Sequence, residues 1–393
     1  MLDTVRIGIV GIGNMGSAHA KSIFAGNVKN LVLGAVCDIA PEKLAWAREN
    51  LPDVPCFSDY HEMLASGLID AVLIATPHYI HSEIAIAGFK AGLHVLTEKP
   101  AGVYTKQVEE MNAAAEKSDR VFGIMYNQRT NPQFQKMREL VQSGRLGELK
   151  RCIWIITNWY RTQAYYDSGT WRATWAGEGG GVLINQCPHN LDLWQWIFGM
   201  PVRIRAKCHY GKWHNIEVED EVTAYAEYAN GATASFITTT GECPGTNRLE
   251  ITGDRGKLVW EEGKLHFWEL AEPERKICFE SQEGFVVPET HYEEIAAEGV
   301  ETGHNGILQN FTDVILHGGK LLAPGEEGIN GLTISNAIHL SDWTNDWVEL
   351  PIDADRYLEL LNEKRKKSHV KEAGKPAKIA DLSGTYNDRW KVR

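Results

Sequence analysis

The sequence predicts an N-terminal α/β domain on a doubly wound parallel sheet, joined to an α+β domain with an open-faced, mostly antiparallel sheet. Three observations predict it. Through about residue 125, short and continuously apolar runs alternate with helical segments, as parallel strands covered on both faces require. The first run leads into Gly11-Ile12-Gly13-Asn14-Met15-Gly16, a glycine turn of the kind that opens a helix behind a parallel strand. After about residue 145 the runs alternate apolar and polar residues, as in Val222, Ala224, Ala226 and Tyr228. That period sets one face on a core and leaves the other open. At 393 residues the chain also exceeds what a single core usually holds.

Taken in order, Val5–Val10 is the first strand and residues 14–25 a helix, with Met15, Ala18, Ile23 and Phe24 as buried candidates. Leu31–Cys37 is a second buried strand, and 41–50 a helix with Pro41 at its first position. Ser58 is expected to cap a short helix running to about Ala65. Strands at 71–75, 93–97 and 121–125 alternate with helices at 79–91 and 105–118. In the second half, strands are expected at 152–158, 202–209, 221–228, 232–239, 248–252 and 257–260, and helices at 186–198, 305–317 and 327–343. From Pro351 a charged helix (353–367) gives way to a Lys/Gly/Pro/Ser stretch read as an extended arm. The division is then 1–126 for the nucleotide-binding domain, 127–350 for a substrate-binding and oligomerisation domain, and 351–393 for the terminal helix and tail.

A formal net charge of −12 gives no attraction to a phosphate backbone, so no nucleic-acid partner is expected. The basic cluster Lys364-Arg365-Lys366-Lys367 is read as the solvated face of the terminal helix. No apolar run approaches the ~20 residues of a membrane span. No signal peptide is expected either, because a fold-forming strand starts at Val5. Seven cysteines without a CxxC pair suit free thiols and a cytoplasmic location. No metal site is expected, and Cys187 is read as a small packing residue.

Gly11, Gly13 and Gly16 follow a strand and open a helix, so the turn is tight, the pyrophosphate of a dinucleotide can approach, and the helix can pack closely. Asp38 ends the second strand, where a carboxylate accepts from both ribose hydroxyls and repels a 2′-phosphate. NAD is therefore expected rather than NADP. Thr76-Pro77-His78 ends the strand after the crossover. Glu98-Lys99-Pro100 closes the half, placing a lysine at the mouth of the site. At a distance, Gly179-Gly180-Gly181-Val182-Leu183-Ile184-Asn185-Gln186-Cys187-Pro188-His189 offers a histidine from the second domain. This is the equipment of an alcohol–carbonyl oxidoreductase.

With these pieces in place, the chain resembles the glucose–fructose oxidoreductase/inositol dehydrogenase/rhizopine-catabolism (Gfo/Idh/MocA) family, from about Val5 to Leu350. The motifs that carry the resemblance are Ala75-Thr76-Pro77, His81, Ala91-Gly92-Leu93-His94-Val95 and Glu98-Lys99-Pro100. They continue with Trp171-Arg172, Gly179-Gly180-Gly181, His189 and Asp192. The resemblance implies a Rossmann domain, sugar or cyclitol substrates and oligomers built through the open sheet. The expected cofactor contacts are Gly11, Gly13, Asn14, Met15, Gly16, Asp38, Thr76, Pro77, His78, His81, Glu98, Lys99, Asn127, Trp171 and Arg172. One departure stands out: many members carry Asp four residues before the histidine, and this chain has Asn185. An amide cannot relay a proton; it can bond a substrate hydroxyl or cap the following helix.

His189 is the expected base, since its ordinary pKa lies near the working pH. Lys99 is expected to stabilise alkoxide character. Asp192, three residues after His189, could orient the imidazole or bind a hydroxyl. Substrate groups are expected from Tyr126, Asn127, Arg129, Asn158, Tyr160, Arg161, Tyr165, Tyr166 and Asn185, with Lys99 and His189. Half of the aromatic Trp154–Trp175 segment is expected to be core. The leading reading is an NAD-dependent dehydrogenase of a secondary hydroxyl on a sugar, glycoside or inositol. Two alternatives remain at this point: a glycoside-cleaving enzyme that oxidises transiently and recycles NAD, and a nucleotide-binding regulator without chemistry. An apolar stripe on strands 221–228 and 232–239 points to a homodimer or tetramer, with the tail around Trp390 lying on a neighbour.

Overall fold

The computed structural model describes residues 3–369. Its first sheet is six-stranded and wholly parallel. The strands are β1 (Val5–Val10), β2 (Leu31–Cys37), β3 (Cys56–Phe57), β4 (Ala71–Ile74), β5 (His94–Thr97) and β6 (Phe122–Ile124), in the order β3-β2-β1-β4-β5-β6. Ile7, Ile9, Val36, Leu73 and Val95 are fully buried, which is why these runs lack polar alternation. Helices α1 (Asn14–Phe24), α2 (Pro41–Asn50), α3 (Tyr60–Ala65), α4 (His81–Lys90) and α5 (Thr105–Glu116) link the strands. Strand order reverses between β1 and β4, and ligands bind beyond the carboxyl ends at such a switch point. Gly11 and Ala75-Thr76 lie there.

Local chemistry corrects some details. The cap of α3 is Asp59, whose side chain accepts from the His61 N–H at 2.8 Å, rather than Ser58. The helix expected from residue 79 begins as a 3-10 turn, His78–Ile80, ahead of α4. Of the apolar contacts expected on α1, Ile23 is buried but Phe24 is 46% exposed, and buried His19 lies on the packed face instead.

The second sheet has nine strands: β7 (Leu149–Ile156), β8 (Arg203–Tyr210), β9 (Glu219–Glu227), β10 (Thr233–Thr239), β11 (Asn247–Gly253), β12 (Gly256–Glu261), β13 (Lys264–Leu270), β14 (Thr290–Ile295) and β15 (Val348–Glu349). Their order is β14-β13-β12-β11-β7-β10-β9-β8-β15, antiparallel throughout except for the β7–β10 pair. Seven helices accompany it: α6 (Pro132–Gln142), α7 (Gln163–Tyr166), α8 (Pro188–Phe198), α9 (Glu274–Glu280), α10 (Gly303–His317), α11 (Gly328–Thr344) and α12 (Ala354–Lys367). Every residue of α8 is buried, and its Trp194 stacks on Phe236 of β10 at 5.3 Å.

The open face is more polar than expected. Val222, Ala224 and Ala226 of β9 are buried in the core, leaving Glu221, Thr223, Tyr225 and Glu227 to alternate on the other side. Its apolar centre is instead Ile153 and Ile155 of β7 with Ile237 of β10, all half-buried. Trp154 is core, as half of its aromatic segment is expected to be.

The segment after residue 303 returns to the first sheet. Leu308 and Phe311 of α10 pack in its core, and the Ile124 N–H donates to Ala323 O at 3.1 Å. In α12, the basic cluster is not uniformly solvated. The Lys364 ammonium lies 5.2, 5.1 and 4.9 Å from the ring centres of Trp175, Tyr210 and Trp343, a cage that suits a desolvated cation. The expected contact of Trp390 lies outside the described residues. Among those described, no helix is long and apolar enough to cross a membrane.

Candidate active site

The glycine turn is built for close approach. Gly11 has φ +89°, and a Cβ there would lie 2.6 Å from the Ala75 carbonyl. Gly16 abuts Gly11 rather than a strand: its Cβ would meet Gly11 O at 1.8 Å. Gly13 faces open space on its Cβ side. Helix α1 begins at Asn14 without a side-chain cap, so the N–H groups of its first turn, through Met15, and the positive dipole end serve that space. Asp38 Oδ2 accepts from the Ile12 N–H at 2.7 Å and Oδ1 from the Ala40 N–H at 2.9 Å. These bonds pin the carboxylate beside the turn and leave a lone pair on each oxygen. It does not cap α2, whose cap is Ala40. Thr76 Oγ1 and both amide atoms of Asn127 are buried without a hydrogen-bond partner. Such orphans cost about 1–3 kcal/mol each. Together with the open cradle at Gly13, they fit a bound dinucleotide.

Lys99 follows β5 and reaches the second half of the chain. Its ammonium donates to Asn185 O at 3.0 Å. Behind it, Glu98 is buried, with Oε1 2.7 Å from His19 Nε2 and Oε2 accepting from the Lys99 N–H at 3.2 Å. Glu98 is thus a support for the loop that carries Lys99. His189 stands at the start of α8, 2% exposed, its ring 6.2 Å from that of Tyr126. Burial, with the charges of Lys99 and His304, pushes its pKa well below the ordinary histidine value. The imidazole is therefore neutral near pH 7, the form a base requires. Cys187 is buried against Thr238 Oγ1 at 3.1 Å, and burial pushes its thiol up to about 12, which agrees with a packing role.

Trp171 and Arg172 come across from the second half. Trp171 meets His78 edge-on at 5.7 Å, and the Arg172 guanidinium lies over the rings of Trp171 and Tyr165 at 4.6 and 4.9 Å. Beyond His189 opens a cavity of about 410 Å³, within the ~300–1,000 Å³ of small-molecule sites. Asn158, Tyr160, Arg161 and His189 line it. Gln128, Asn131, Asn190, Glu242, Asn247, Trp260 and Glu301 line it too. These come from separate helices, strands and loops, Asn190 from α8, Asn247 from β11 and Trp260 from β12 among them, and no spacing in the sequence marks them as one wall.

Several expected site residues are used elsewhere. Arg129 and Asp192 do not line that cavity: fully buried, they form a two-pronged ion pair at 2.6 and 2.8 Å, and Arg129 also reaches Glu327 and Leu322 O. Tyr126 turns its hydroxyl to Gly328 O at 3.4 Å and is 2% exposed. Tyr166 is buried with its hydroxyl on Thr240 Oγ1. His81, expected at the cofactor, is a buried staple between Thr76 O and Pro100 O, at 2.8 and 2.9 Å. Asn185 is not a helix cap, since α8 is capped by Cys187. The side chain of Asn185 instead bonds Glu178 and Tyr165. Glu178 itself is a buried acid that the sequence reading passed over.

A parallel sheet with an open glycine turn at its switch point, a lysine at its mouth and a neutral histidine beside a polar cavity define a dinucleotide-dependent oxidoreductase scaffold. Residues 5–126 match the oxidoreductase family with an NAD-binding Rossmann fold, and residues 134–259 match the GFO/IDH/MocA C-terminal domain. The chain belongs to this family of oxidoreductases. It is 28% identical over 198 residues to myo-inositol 2-dehydrogenase of Thermotoga maritima, a match spanning 50% of this chain and 56% of that enzyme. Levoglucosan dehydrogenase of Pseudarthrobacter phenanthrenivorans is 24% identical, over 89% of this chain and 99% of that protein. The WlbA dehydrogenase of Bordetella pertussis, solved in complex with NADH and UDP-GlcNAcA, superposes with a TM-score of 0.76 at 26% identity. That superposition covers 89% of this chain and all of the other.

Proposed function

We propose that this protein is an NAD-dependent dehydrogenase that oxidises a secondary hydroxyl of a sugar, glycoside or cyclitol. The observation that carries the reading is the bond from Lys99, on the nucleotide-binding half, to the segment bearing neutral His189, beside a polar cavity. The turn at Gly11–Gly16, Asp38, Thr76 and Asn127 would hold NAD, which when bound supplies the hydride acceptor. His189 takes the hydroxyl proton, and the Lys99 ammonium stabilises the oxygen as negative charge grows on it. Asn158, Tyr160 and Arg161 offer donors and acceptors to a polyol. Incubation with NAD and a panel of hexoses, glycosides and inositols tests the reading. NADH accumulates with at least one of them; a uniformly silent panel would count against it. Seven unpaired cysteines, two of them exposed, support a reducing cytosol as the setting. Assembly through the face around Ile153, Ile155 and Ile237 belongs to the same reading, and light scattering from a monomer would remove it.

The pH dependence follows from the base. Only neutral His189 accepts a proton, and its pKa is lowered. The acid limb of kcat/KM for oxidation therefore lies below the ordinary histidine value of about 6.5, and activity stays level from pH 8 to 6.5. A limb above pH 7 would contradict this assignment.

Cofactor choice rests on Asp38. Its pinned carboxylate repels a 2′-phosphate, so the wild type favours NAD, and Asp38→Ala shifts the kcat/KM ratio toward NADP by about ten-fold or more, equivalent to ~1.4 kcal/mol. A wild type that prefers NADP would overturn it.

A further inference from the structure

We infer that Glu178 is the positioning acid of this site, fixing Asn185 in the one amide orientation that serves the chemistry; the inference rests on the dehydrogenase reading above. Glu178 is 2% exposed. One carboxylate oxygen accepts from Asn185 Nδ2, and the other accepts from the Ala173 N–H at 2.6 Å. Arg172 lies 3.9 Å from the first oxygen. An ionised carboxylate can only accept, so the atom of Asn185 that faces it must be the NH₂ group. That leaves Asn185 Oδ1 as the acceptor, and it takes the Tyr165 O–H at 3.3 Å. The same tyrosine oxygen receives Arg172 at 3.0 Å and Gln186 at 3.2 Å.

Glu178 thus orders two things at once. It directs the side chain of the residue whose main-chain carbonyl holds Lys99. Through Ala173, held at φ +54°, it also shapes the loop that presents Trp171 and Arg172. Burial opposes ionisation of the Glu178 carboxyl group, while Arg172, the Ala173 N–H and the Asn185 amide favour the charged form. The position of the charge matters for a second reason. Asn185 is neutral, so the negative charge of this cluster sits one side chain further back, on Glu178, where Arg172 balances it.

The test is a relocation of that charge, read in the full-length protein. Glu178→Gln must keep its amide oxygen on the Ala173 N–H, so its NH₂ group faces Asn185 and forces that amide to turn over. The expected result is a kcat lower by about 10–100-fold, the scale of an ångström-level misplacement. KM for NAD should move less than three-fold. Glu178→Asp, which keeps charge at shorter reach, should recover part of the loss. Asn185→Asp sets two carboxylates against each other and should lower the melting temperature at pH 7. Combining Asn185→Asp with Glu178→Gln restores one acid and one amide, and should regain both the melting temperature and at least five-fold in kcat over Glu178→Gln alone. Normal kcat in folded Glu178→Gln overturns the inference, as does a combined variant no better than either parent. If the wild type oxidises nothing in the panel, the dehydrogenase reading fails on its own. The melting-temperature cycle still decides whether Glu178 and Asn185 act as a charged pair of donor and acceptor; additive melting shifts would reject that.

Discussion

His189→Ala is expected to lower kcat by about 10²–10⁴-fold, the usual cost of losing a general base. The variant should stay folded and keep its affinity for NAD, because His189 lies on α8 and not on the glycine turn. Lys99→Ala should lower kcat by about 10²–10³-fold, the cost of one charge-stabilising donor. Asn185→Ala should be milder, since its amide links Glu178 to Tyr165 and carries no proton in the reaction. The double variant of His189 and Lys99 should cost less than the product of the singles, because both act on one proton transfer. Steady-state kinetics with fluorescence titration of NADH separates the two effects. Near-normal turnover in His189→Ala would require a different base. The buried hydroxyl of Tyr126, directed to Gly328 O, is not a ready substitute.

The largest stability effect is expected at Asp192. Its carboxylate and the Arg129 guanidinium are both out of solvent, and Arg129 is flanked by the rings of Tyr126 and Trp196 at 5.4 and 5.2 Å. Asp192→Ala leaves a buried cation with only the partly exposed Glu327 as a counter-charge. Breaking a buried pair in this way costs about 3–5 kcal/mol. Denaturant unfolding should therefore show a midpoint shift far larger than that of any surface pair, such as Lys276–Glu272, for which about 0–1 kcal/mol is usual. A loss under 1 kcal/mol at Asp192 would mean that water reaches the site. Replacing Arg129 and Asp192 together by apolar residues should cost much less than either single change.

The contrast between these residues shows what the sequence can convey. The strands at Val5–Val10 and Ala71–Ile74 were legible because burial on both faces demands an unbroken apolar run. The glycine turn was legible because its backbone admits few other residues. The helix Pro132–Gln142 was missed although it carries its own signals: Asn131 caps it by accepting from the Gln133 N–H, Pro132 stands at its first turn, and Gly144 follows its end. The outer strands Lys264–Leu270 and Thr290–Ile295 were missed for the opposite reason. An edge such as Thr290–Ile295, with only Ile295 buried, has little hydrophobic period to read. Within the site, Lys99 and His189 were legible as candidates, and the fold brings Lys99 to the segment that carries His189. The uses of Arg129, Asp192, His81 and Tyr126 were not, because a charged or polar residue in a motif can face a ligand or a buried partner equally well. Only the fold brings Asp192 to Arg129, 63 positions away, and Glu178 to Asn185.

The central claim is that a carbinol hydrogen passes from a sugar or cyclitol to nicotinamide while His189 takes the hydroxyl proton. The most direct measurement uses the best substrate from the panel, labelled with deuterium at the oxidised carbon, and follows the label by mass spectrometry of the cofactor in the wild type and in His189→Ala. The account predicts deuterium in released NADH, stoichiometric with ketone, and almost none from His189→Ala in the same interval. Substrate cleavage with no net labelled NADH, or equal label transfer by the two proteins, would contradict it.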